Sequence, residues 1–93
     1  MTRLTHAITV HGRVQGVSLR WMIKEKAQAL SLVGFVRNTK EGGALIVCRG
    51  IPENVQKLCD WLRTHPGASH IERLEIEQIN DSDTYTQFGI HYS

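Results

Sequence analysis

Leu32-Val33-Gly34-Phe35-Val36-Arg37-Asn38-Thr39-Lys40-Glu41-Gly42-Gly43-Ala44-Leu45-Ile46-Val47-Cys48-Arg49-Gly50 contains two short apolar, β-branched runs separated by a polar, glycine-ended link. Residues 32–38 and 44–49 read as strands, and Thr39 to Gly43 reads as the hairpin loop that makes them antiparallel neighbours. Working outward, both flanks are helical. On the N-terminal side Leu19, Met22, Ile23, Ala27 and Leu30 recur at helical spacing, with Lys24, Glu25 and Gln28 largely on the other face. On the C-terminal side Pro52 suits a first helical turn, and Val55, Leu58, Cys59 and Leu62 form one stripe that ends before His65, Pro66 and Gly67. Beyond the helices lie more strands. Thr5 to Gly12 alternates, Ile8 and Val10 on one face and Thr9 and His11 on the other. Ile71 to Ile79 is expected to turn Leu74 and Ile76 inward and Arg73, Glu75 and Glu77 outward. Gln87 to Tyr92, with Phe88 and Ile90 alternating, makes a last short strand after the polar turn Asn80 to Thr84.

The element order is β-α-β-β-α-β with a short strand added at the end. It specifies an α+β, ferredoxin-like βαββαβ sandwich: an antiparallel sheet with two helices on one face. The 93 residues leave room for one domain, 1–93, whose net stability should be about 5 to 14 kcal/mol. An apolar fraction of 41% and a charged fraction of 22% exclude disorder, collagen and a coiled coil. The formal charge is only +2, and the basic residues are spread from Arg3 to Arg73 without a dense run, so a small anion is a better electrostatic fit than nucleic acid. No apolar run is long enough for a signal peptide or a membrane span, which makes the cytoplasm the expected compartment and excludes a membrane partner.

Chemistry is expected at the first strand-to-helix junction, His11-Gly12-Arg13-Val14-Gln15-Gly16-Val17-Ser18-Leu19-Arg20. Arg20 lands in the first turn of a helix, where the macrodipole makes a cation cost a few tenths to about 1 kcal/mol unless an anion joins it. Gly12 and Gly16 permit the positive φ values that gather consecutive amides into a phosphate-sized concavity, and Arg20 could clamp two phosphate oxygens with its planar fork. The loop lacks the Gly-Lys-Ser/Thr ending of a Walker motif, so nucleotide hydrolysis is not indicated.

Taken together, Gly12 to Arg20 and Leu32 to Gly42 closely resemble the acylphosphatase family. The resemblance runs through Gly50 and Pro66-Gly67-Ala68-Ser69-His70-Ile71-Glu72-Arg73 into Phe88-Gly89-Ile90-His91-Tyr92. It implies hydrolysis of carboxyl-phosphate mixed anhydrides without metal, cofactor or covalent intermediate. It further implies phosphate binding by Val14, Gln15, Gly16, Val17, Ser18, Leu19 and Arg20, with Asn38 positioning the attacking water. Leu19 stands where the family usually has phenylalanine. A carboxylate leaves without protonation at neutral pH, so two side chains and a loop could suffice for orientation and charge stabilisation. The competing reading is a non-catalytic phosphate-binding or regulatory module on the same fold. An adaptor using the open sheet face is weaker, since strand-centre aromatics of the RNP type are missing.

The remaining candidates are read as structural. His6, His11, His65, His70 and His91 show no H-x-x-x-H spacing and are assigned to strand faces or loops, not to a metal. Trp21 and Trp61 are assigned to the core or its edge, and Cys48 and Cys59 to buried free thiols. The expected partners are a small acyl phosphate, with inorganic phosphate or sulfate as competing anions, and the expected state is a monomer.

Overall fold

Among the described residues, seven elements follow in the expected order: β1 (Leu4–Arg13), α1 (Leu19–Ala29), β2 (Val33–Asn38), β3 (Ala44–Gly50), α2 (Pro52–Leu62), β4 (His70–Ile79) and β5 (Phe88–His91). The computed structural model describes residues 2–14, 18–67 and 69–92. The strands form one sheet in the order β4-β1-β3-β2-β5. β1 is antiparallel to both β4 and β3, and β2 is antiparallel to β3 with Asn38 opposite Ala44. The hairpin closes as the glycines suggest. The Thr39 amide donates to the Gly43 carbonyl at 3.1 Å, and the Gly43 amide donates to Thr39 Oγ1 at 3.2 Å.

The last strand departs from expectation: β5 pairs parallel to β2, so the sheet is mixed and not wholly antiparallel. β4 ends at one edge of the sheet, and the chain must reach the opposite edge before β5 can add there. Residues 80–87 make that crossing over the sheet face away from the helices, where Arg49 fastens them. Its guanidinium donates to the carbonyls of Asp81 and Asp83, both at 2.8 Å, and to Thr5 Oγ1 at 2.7 Å. Tyr85 lies near the Arg49 guanidinium and against Phe35, and its hydroxyl donates to Asp81 Oδ2 at 2.6 Å.

The opposite face carries the core. Ile8 and Val10 of β1, Val36 of β2 and Ala44, Ile46 and Cys48 of β3 are buried beneath Leu19, Ile23 and Ala27 of α1 and Val55, Leu58, Cys59 and Leu62 of α2. α1 lies against β2 and β5, α2 against β3, and Gln28 of α1 donates to the Phe88 carbonyl of β5. Cys48 and Cys59 are free and buried, and burial pushes the Cys48 thiol up to about 12.

Two side chains are more exposed than their patterns suggest. Ile76 shares the helix face with its cross-strand partner Ile8, yet it is 40% exposed because β4 is an edge strand that the helices do not fully cover. Alternation assigns a face; it does not guarantee a lid over that face. Trp21 is 56% exposed and lines, with Trp61, Met22 and Ala29, a shallow surface groove of about 350 Å³ between the helices. Trp61 packs against the core as expected.

Candidate active site

β1 is paired on both sides and delivers the chain to the junction. It runs one residue past Gly12, to Arg13, and the Val14 amide then donates to the Gly42 carbonyl at 3.2 Å. That bond moors the start of the loop to the β2–β3 hairpin immediately after Asn38. Val14 itself is buried. Gln15, Gly16 and Val17, three of the expected phosphate-binding residues, lie outside the described residues.

Gly12 belongs to the strand, not to the loop. The register between β1 and β4 shifts between His11 and Gly12, placing Gly12 opposite Ile71 at φ +144°. A Cβ on Gly12 would lie 2.0 Å from the His70 carbonyl oxygen, so glycine is required by the close pass of β4. Gly12 takes the positive φ expected of it, in a bulge that aims the strand end.

The helix start carries no side-chain cap. Ser18 adopts the left-handed conformation (φ 59°) and makes no side-chain capping bond, while the first helical bond runs from the Met22 amide to the Ser18 carbonyl at 3.2 Å. The amides of Leu19, Arg20 and Trp21 precede that bond and have no intrahelical acceptor. The first turn contains no acidic residue to offset the dipole. Leu19 is the first residue of α1 and is 2% exposed, its side chain built into the core. One residue on, a helical step of about 100° carries Arg20 away from the core to the half-buried rim.

Arg20 and Asn38 come to the same end and the same side of the sheet. Asn38 is the last residue of β2 and shares the helix face with Val36 and its partner Ala44, both fully buried. The Asn38 carbonyl accepts from Arg37 Nη1 at 3.3 Å, and among the described residues its side-chain amide has no recorded hydrogen bond. Arg20 forms no salt bridge among the described residues. Its guanidinium carbon instead stands 4.8 Å from the centroid of the Tyr92 ring. Tyr92 reaches that place through the parallel register of β5, in which His91 lies opposite Arg37 and the next residues, Tyr92 and Asn38, lie at the same end.

Sequence reasoning missed Tyr92 at the site. Its one signal, an aromatic residue ending an alternating strand, says nothing about which edge that strand joins. The expected groups Val14, Ser18, Leu19, Arg20 and Asn38 gather at one end of the sheet. Among the described residues, the arrangement offers helical amides without an acceptor, a guanidinium with no carboxylate partner and an unengaged amide side chain.

A ferredoxin-like α+β sandwich with an uncapped helix start at one end of its sheet is the class that this geometry defines. The acylphosphatase family model matches residues 6–90. An acylphosphatase of Thermococcus kodakarensis is 35% identical over 77 residues, covering 83% of this chain and 85% of that protein. The acylphosphatase of Coxiella burnetii superposes with a TM-score of 0.88 at 30% identity, covering 96% of this chain and 93% of the other. That of Bacillus subtilis gives 0.86 at 26% identity, covering 96% and 99%. The chain belongs to the acylphosphatase family.

Proposed function

We propose that this protein hydrolyses acyl phosphates to a carboxylate and inorganic phosphate. Water attacks phosphorus, the bond between phosphorus and the carboxyl oxygen breaks, and its electron pair leaves with the carboxylate. A proton of the attacking water passes to a phosphoryl oxygen of the substrate. The backbone amides of residues 14–20 and the Arg20 fork hold the phosphoryl group, and Asn38 orients the water through its side-chain amide. No metal, cofactor or phosphoenzyme takes part, because the carboxylate needs neither a proton nor a Lewis acid to depart. The whole of 1–93 acts as one such domain, as a cytoplasmic monomer with no nucleic-acid partner. Inorganic phosphate and sulfate compete for the same anion site. Among the described residues, no helix is long and apolar enough to cross a membrane.

One observation carries the reading: in a chain of this family, Arg20 stands in the first turn of α1 without a carboxylate partner among the described residues, at the sheet end where Asn38 finishes β2. Release of phosphate from benzoyl phosphate by the purified protein tests it. Arg20→Ala should abolish turnover and phosphate binding in a folded protein, and Arg20→Lys should fail to restore them, since a point charge lacks the bidentate fork. Wild-type turnover by folded Arg20→Ala would overturn the proposal.

A further inference from the structure

We infer that Tyr92 is a positioning residue for Arg20, a role that rests on Arg20 being the phosphate-binding group. The ring centroid stands 4.8 Å from the guanidinium carbon, yet Tyr92 is 80% exposed, so it contributes little to the core. Contact with an aromatic face stabilises a cation without occupying any of its N–H donors, whereas a carboxylate in the same place would take two of them and repel phosphate. The ring thus restricts the long arginine side chain before substrate arrives and leaves the fork vacant for phosphoryl oxygens. Arg20 pays less ordering entropy on binding. Placement supports the same role. β5 adds to the edge of β2, Gln28 ties it to α1, and the strand ends where Asn38 does.

The reading predicts a graded series. Tyr92→Leu should weaken inorganic phosphate binding and raise KM about two- to five-fold, the range of an exposed cation–π contact, with little change in kcat. Tyr92→Phe keeps the ring and should bind phosphate like the wild type. The midpoint of urea unfolding should be nearly the same in all three, because the side chain is exposed. Phosphate affinity can be measured by calorimetry without turnover.

Wild-type affinity in Tyr92→Leu, or equal weakening in Tyr92→Phe and Tyr92→Leu, would overturn the role of the ring while leaving the function standing. If Arg20→Ala binds phosphate as the wild type does, the functional reading fails first and the positioning role falls with it.

Discussion

Replacing Leu19 by alanine should disturb both the core and the anion site, and the two effects can be separated. Leu19 is 2% exposed and belongs to the buried cluster with Ile23 and Ala27. Truncating a leucine so enclosed costs about 2 to 5 kcal/mol, and a value near 3 is expected here. A chain of 93 residues has about 5 to 14 kcal/mol in hand, so Leu19→Ala should still fold at 25 °C. With a urea slope of about 1.3 kcal/mol per M, the midpoint should fall by roughly 2 M. The site should respond as well. Leu19 pins the first residue of α1, and Arg20 takes its direction from that turn, so the cavity frees the helix start to move. Phosphate release from benzoyl phosphate, corrected for the folded fraction, should show a raised KM. Leu19→Met, close in volume, should cost less than about 1.5 kcal/mol and retain activity. A loss of stability below about 1 kcal/mol, or full activity in a strongly destabilised Leu19→Ala, would refute the link between core packing and the guanidinium.

Asn38→Ala should lower kcat by orders of magnitude with little change in KM, because its proposed partner is the attacking water; the reverse pattern in steady-state kinetics would assign Asn38 to substrate binding. EDTA should leave turnover unchanged, and phosphate or sulfate should inhibit competitively with a potency that falls as salt is added, both read from initial rates. The Cys48 thiol, pushed up to about 12 by burial, should resist iodoacetamide at pH 8 in the folded protein and react once urea unfolds it, as followed by mass spectrometry. Its proton is held more tightly folded than unfolded, so this contribution to stability is complete below about pH 8.5 and shrinks as pH rises towards 12. The urea midpoint of Cys48→Ala should therefore fall less steeply across that window than that of the wild type.

Much of this was legible in sequence because the deciding patterns are local. The Thr39 to Gly43 link fixes a hairpin, and the stripes of α1 and α2 fix which helix faces are buried. Arg20 stood out as a candidate because a cation in a first turn conflicts with the macrodipole, and Asn38 because the family motif includes it; the fold brings the two to one end of the sheet. Long-range choices were not legible. Nothing within Phe88 to His91 says that the strand adds parallel to β2, so Tyr92 could not be placed near Arg20. The constraint on Gly12 was hidden for a related reason: a glycine beside a loop suggests a turn, while the contact that leaves no room for a Cβ is with the His70 carbonyl, 58 positions away. Ile76 follows the right alternation at an edge whose incomplete cover depends on where two helices stop.

The uneven bonding of the sheet divides the molecule into parts that open at different free energies. β1, which leads towards the start of α1, is held by neighbours on both sides, while β5 is four residues long and bonded on one side only. Fraying should begin at β5, and its amides should exchange with deuterium well before those of β1. When β5 peels away it takes the ring beside Arg20 with it, while β1 and the start of α1 remain folded. On warming, phosphate affinity should therefore decline below the temperature at which circular dichroism reports global melting. The protein would then have two thermal limits, one for tight substrate capture and a higher one for the fold.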